Sequence, residues 1–148
     1  SPTIPDPMAD SGEHDFKYSL YPHPGSWGED TQREAYLLND PLIAYRPGVE
    51  IKSSEKRLST LRSLISPSSP NVIIETVKRA EDGNGIIVRL YESQRKRGPV
   101  QVRAGFDVES AWETNLLEEN ESELKVENNS IQWVVRPYQI MTLRLIAK

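Results

Sequence analysis

The 148-residue sequence contains no cysteine, which rules out both a disulfide framework and thiolate chemistry. A cysteine-free chain suits a reducing compartment, and the cytoplasm is the expected location. No apolar run approaches the length needed to span a bilayer. The opening Ser1-Pro2-Thr3-Ile4-Pro5-Asp6-Pro7 has neither the basic start nor the apolar centre of a signal peptide, so no membrane partner is expected. Charge of one sign is also missing. The 18 basic and 22 acidic residues are interleaved, with a formal net charge of −4, and give no electrostatic basis for binding nucleic acid. No repeat at a fixed period is visible, which disfavours solenoids and propellers.

What is present is turn chemistry. Eleven prolines and 8 glycines in a chain with 36% hydrophobic and 27% charged residues predict many turns and few long helices. The length suits one domain with a core of its own. The proline-rich opening reads as a linker from a preceding domain, so residues 1–12 are expected as linker and residues 13–148 as the folded domain. His14, Phe16, Tyr18 and Leu20 share a face at period two and predict a half-buried strand, stopped by Pro22-His23-Pro24-Gly25. A short helix is expected next, capped by Asp30 or Thr31, with Ala35, Tyr36 and Leu38 on one side and Asn39-Asp40-Pro41 ending it. The serine-rich and charged stretch from Lys52 to Pro70 predicts a loop around at most one strand, near Leu61 to Ile65.

The remainder is clearly strand-like. Val72 to Lys78 and Ile86 to Glu92 should pair antiparallel across Glu81-Asp82-Gly83-Asn84-Gly85. Val100, Val102, Ala104 and Phe106 alternate with Gln101, Arg103 and Gly105. Further runs at Ala111 to Leu117, Glu123 to Glu127, Ile131 to Val135 and Tyr138 to Ile146 recur at sandwich spacing, with a bend at Arg136-Pro137. The fold class is therefore mainly β, an antiparallel β-sandwich with one short helix near the N-terminal third.

Few side chains suggest chemistry. Asp10, Glu13, His14, Asp15 and His23 form the densest polar cluster, but their spacing is a poor match to ligand motifs and predicts no metal site. Glu118, Glu119, Glu121 and Glu123 could be read as glycosidic carboxylates, yet they sit in an expected polar hairpin and read as a solvated surface. Arg95-Lys96-Arg97, with no interleaved aromatics, reads as a hairpin tip. Gly83-Asn84-Gly85 lacks the strand-to-helix context of a phosphate loop. Asn120-Glu121-Ser122 and Asn128-Asn129-Ser130 match the glycosylation sequon, a triplet common by chance. Trp27, Trp112 and Trp133 with Tyr21, Tyr36 and Tyr91 raise a competing possibility, a sugar-binding sandwich that stacks pyranose faces on exposed rings.

Several ordered runs resemble the C-terminal region of glycoside hydrolase family 38, the α-mannosidases, and especially its bacterial and cytosolic or vacuolar branch. They are Ala9 through His23, Ala35 through Leu42, Val72 through Asp82, Val88 through Glu92, Thr114 through Glu119 and Arg136 through Leu143. The resemblance implies a parent enzyme that cleaves terminal α-linked mannose with retention, using an aspartate nucleophile and a divalent metal, usually zinc, in an upstream β/α barrel. It implies that this chain is the C-terminal β-sandwich, with no catalytic residue, metal ligand or cofactor of its own. Its partners would be the catalytic barrel and preceding β domain of the same polypeptide, and mannosides through the parent. Asp10, Glu13 and His14 are the residues expected to lie nearest the substrate, as a buttress to the barrel. A free surface made to pack on that polypeptide would favour a homo-oligomer.

Overall fold

A computed structural model describes residues 11–44 and 62–148. The chain forms two compact units, residues 1–42 and residues 43–148. In the first, the helix α1 spans Glu29–Asn39. Its N-cap is Gly28, ahead of both expected caps, Asp30 and Thr31. Thr31 instead sits in the first turn and accepts the Gly28 N–H through Oγ1 at 3.3 Å, while Asp30 adds an acidic charge there. The helix stops at Asn39 as its sequence predicts, and buries none of its residues.

His14 to Tyr21 departs from expectation. The segment belongs to no sheet among the described residues, and Phe16, Tyr18 and Leu20 are 77%, 88% and 89% exposed. Alternation marks a backbone suited to a strand, but a strand also needs a neighbour to complete its ladder.

The second unit is a two-layer sandwich. Its strands are β1 (Ile65–Pro67), β2 (Val72–Arg79), β3 (Ile86–Glu92), β4 (Gly98–Ala104), β5 (Val108–Thr114), β6 (Asn120–Leu124), β7 (Val126–Glu127), β8 (Ser130–Val135) and β9 (Ile140–Ala147). One sheet has the order β1-β4-β8-β7 and the other β2-β3-β9-β5-β6, and every pair is antiparallel. Most of the strands expected here are present with boundaries moved by a few residues, but the run Glu123 to Glu127 is divided between β6 of the larger sheet and β7 of the smaller one. Of the loop expected from Lys52 to Pro70, residues 52–61 lie outside the described residues. Its predicted strand is β1, an edge strand that ends on Pro67, where a missing N–H costs least.

The core follows from period two. Val88, Leu90, Met141, Leu143, Leu145 and Ala111 of the larger sheet face Val100, Val102, Ala104, Ile131 and Val135 of the smaller one. Two turns are dictated locally. The β2–β3 hairpin places Gly83 and Gly85 at φ of 75° and 94°, while Asp82 accepts the Asn84 N–H at 2.8 Å. The β7–β8 hairpin turns on Asn128 and Asn129, both left-handed, as a two-residue connection demands.

Arg95-Lys96-Arg97 is not a hairpin tip. Residues 93–97 carry the chain from β3 in the larger sheet to β4 in the smaller one. The cause is the side chain of Glu92, which gathers backbone N–H groups of this corner onto its carboxylate, and the Asn71 carbonyl, which accepts the Ser93 N–H at 2.8 Å.

Candidate functional site

The sites proposed from the sequence are dispersed. Glu13, His14, Asp15 and His23 are exposed, Asp10 lies outside the described residues, and His23 stacks on Tyr21 with ring centroids 5.5 Å apart. Among the described residues no group of three or more His, Cys, Asp or Glu side chains could hold a metal ion. The described residues therefore offer no ligand set for a divalent ion of the kind that the family resemblance places in the upstream barrel. Among the described residues, the tryptophans offer no exposed platform on the sandwich either. Trp27 is exposed but belongs to the first unit, whereas Trp112 and Trp133 are half-buried and Trp133 packs on the core.

The concentrated polar chemistry lies on the outer face of the larger sheet. Cross-strand register puts Lys78 (β2), Ile87 (β3), Arg144 (β9) and Trp112 (β5) in one row, with Thr76, Arg89, Thr142 and Thr114 in the next. An outer face should be wet, yet Ile87 is fully buried without belonging to the core cluster, and Thr114, Thr142 and Arg144 are also buried. The covering element is the β5–β6 loop. Asn115 closes it on itself, its Oδ1 accepting the N–H groups of Leu117 at 2.9 Å and Glu119 at 3.0 Å. Arg89 then donates to the Leu116 carbonyl at 3.0 Å and Arg144 to the Glu118 carbonyl at 2.7 Å, pinning the loop over β3 and β9.

Glu118 completes the clamp. Its backbone is left-handed, at φ 68°, and its carboxylate is buried, contrary to its expected place on a solvated surface. It pairs with Lys78 at 2.9 Å and accepts the Glu81 N–H at 2.8 Å. Lys78 Nζ also bonds Glu81. The Lys78 ammonium, followed by the Glu81 N–H, holds the Glu118 carboxyl below its ordinary range against the opposing effect of burial. Glu118, then Glu81, raises the Lys78 pKa in return. Arg144 grips both oxygens of Asp82 at 2.9 and 2.7 Å and the Asn84 carbonyl at 2.7 Å. The Asn84 N–H first, and Arg144 second, lower the pKa of Asp82. A cleft of about 370 Å³ opens beside the clamp, lined by Glu81, Asp82, Asn84, Glu118, Glu119 and Arg144 among others.

Glu92 anchors the opposite connection. It is 1% exposed, and Oε1 accepts from Asn71 Nδ2 and the Gln94 N–H, both at 2.8 Å, while Oε2 accepts the Tyr138 N–H at 3.0 Å. Burial alone would raise its pKa. The donors from Asn71, Tyr138, Lys96 and Gln94 outweigh burial and bring the carboxyl down to about 2.

These arrangements fix what the groups can do. A glycosidic acid must keep its proton near neutral pH, and burial or a like charge usually raises it to that end. Glu92, Glu118 and Asp82 are all shifted the other way, and their oxygens already hold cations and amides. They are fasteners. A signal for Arg144 was available, since it is the one charge inside the apolar run Met141 to Ile146. For Glu118 nothing in its acidic neighbourhood distinguished it, because its partner Lys78 lies 40 positions away.

Comparisons with known proteins agree with the architecture. Residues 71–143 match the family described as the glycosyl hydrolases family 38 C-terminal beta sandwich domain. Human Alpha-mannosidase 2C1 is 32% identical over 99% of this chain, and Alpha-mannosidase G of Dictyostelium discoideum is 33% identical over 99%. The Saccharomyces cerevisiae Alpha-mannosidase is 28% identical over 98%. The chain spans only about 14% of the length of the first two and 15% of the third.

Proposed function

Because this chain belongs to the family 38 glycosyl hydrolase C-terminal β-sandwich domains, we propose that it is the non-catalytic C-terminal part of a retaining α-mannosidase, hydrolysing terminal α-linked mannose elsewhere in a longer polypeptide. The observation that carries this reading is the match along 99% of the chain to relatives of which it covers about one-seventh. The state of Glu92 and Glu118 supports it, because structural donors hold both buried carboxylates as anions. The chain's role is architectural. Residues 1–12 connect to the preceding domain, and the rest packs against it and supports folding of the barrel. A divalent metal, zinc by preference, and the nucleophile belong to that barrel. Cytoplasmic residence is consistent with the cysteine-free composition.

The decisive experiment is expression of the longer polypeptide and assay on an aryl α-mannoside with and without chelator. Chelator-sensitive release of the aryl group is expected from the longer polypeptide, and none from this chain alone. Turnover by the isolated 148 residues would overturn the reading. Within it, Asp10, Glu13 and His14 buttress the barrel near the substrate. His14→Ala should then lower turnover or thermal stability of the longer enzyme, and unchanged values for both would refute the buttress.

A further inference from the structure

We infer that Asp15–Tyr21 is a donor strand, which completes an open β-sheet edge in the polypeptide preceding the sandwich. The inference rests on the reading that this chain is part of a longer enzyme, and adds the surface through which the two parts join. Phe16, Tyr18 and Leu20 lie on one face at period two and are almost wholly exposed, with Lys17 and Ser19 on the other. A row of two aromatic rings and a leucine at strand spacing is apolar surface that a soluble protein ordinarily covers. Among the described residues, no backbone hydrogen bond or ladder engages Asp15–Tyr21. In the extended conformation that this alternation favours, such a backbone is a template for another strand. The missing partner must therefore supply a hydrogen-bonding edge and an apolar face together, and an open sheet supplies both. An apolar groove alone would leave the backbone groups without partners, at a cost comparable to lost hydrogen bonds.

Two observations assign that edge to the preceding polypeptide. The family sandwich model begins at residue 71, whereas the likeness to the mannosidases runs along 99% of the chain and so takes in this segment. The strand thus belongs to a stretch of the relatives outside the sandwich model, in proteins about seven times longer than the chain. The edges of the sandwich itself are guarded against pairing with a second copy. β1 carries Pro67, β6 carries Glu121 and Glu123, β7 has two residues, and β2 is interrupted by a bulge at Glu75.

Amide hydrogen exchange on residues 15–21 tests the proposal without a variant. In the isolated chain these amides should exchange near the rate of an unstructured peptide. In the longer polypeptide at least every second one should slow by about 100-fold or more, the range of a paired strand. Equal and fast exchange in both proteins would overturn the proposal. So would protection in the isolated chain that disappears on dilution, which would make a second copy the occupant. As a second arm, Phe16→Asp with Leu20→Asp should lower the melting temperature of the longer polypeptide, and Lys17→Glu on the opposite face should not; equal effects would count against a one-faced strand. Mannosidase activity is a separate readout. Slowed amides without activity would remove the functional reading and leave the strand, whereas activity with fast exchange at residues 15–21 of the longer polypeptide would remove the strand and leave the functional reading.

Discussion

Glu92 draws three connections onto one carboxylate: the start of β2 through Asn71, the inter-sheet corner through Gln94 and Lys96, and the β8–β9 turn through Tyr138. Because each donor is a fixed amide, replacing an oxygen by an NH2 group sets donor against donor. Glu92→Gln should cost about 3 kcal/mol, read as a lower urea midpoint. The same group predicts acid sensitivity. Its folded pKa, about 2, lies below the ordinary 4.5, so the unfolded chain binds more protons in that window. The stabilisation is complete above pH 4.5 and is lost as pH falls toward 2, with Asp82 and Glu118 acting in the same direction. Denaturant melts from pH 7 to 2 should show that loss, reduced in Glu92→Gln; an unchanged pH slope would refute the assignment. Arg144→Met should also destabilise by about 3 kcal/mol, since it leaves Asp82 and two carbonyls without their donor.

Elements depend on a few backbone positions. Gly85 ends the β2–β3 hairpin at φ 94°, where a Cβ would lie 2.6 Å from the Leu145 carbonyl oxygen and 2.7 Å from Ile146 Cδ1. Gly85→Ala therefore combines backbone strain with a collision against a neighbouring strand. We expect a loss of about 2 kcal/mol or more, checked by thermal melting. The β5–β6 loop is the element whose role was least legible in the sequence. Its Asn115 predicts local closure, but not that Leu116 and Glu118 carry the loop across two strands. Glu118→Gln should weaken the pairing with Lys78, and exchange of the Glu81 amide should rise while the core amides of β3 and β9 stay protected. Unaltered exchange at Glu81 would show that the loop does not depend on the clamp.

The whole molecule divides where its core ends. Every buried residue of the core cluster lies between Val72 and Leu145, and no residue of α1 is buried. The unit of residues 43–148 should consequently fold alone, with a melting temperature within about 4 °C of the full chain, equivalent to less than about 1 kcal/mol. A loss of cooperative melting in that fragment would show that residues 1–42 contribute to the core.

Period two by itself determined where most strands lie and which side chains enter the core, since successive residues of an extended chain face opposite sides. Val100, Val102 and Ala104 needed nothing more, and Gly83-Asn84-Gly85 specified its own turn. Ordered motifs placed the chain in its family. Pairing was another matter. Alternation reports a face but names no neighbour, so it assigned a sheet to His14–Tyr21 that the described residues do not provide, and a hairpin to Arg95-Lys96-Arg97 where the chain crosses between layers. Burial of charge also required the tertiary structure. Glu118 meets Lys78, and Arg144 meets Asp82, only after strands far apart in sequence are side by side, and it is that proximity which turns apparently solvated charges into the clamp of the outer face.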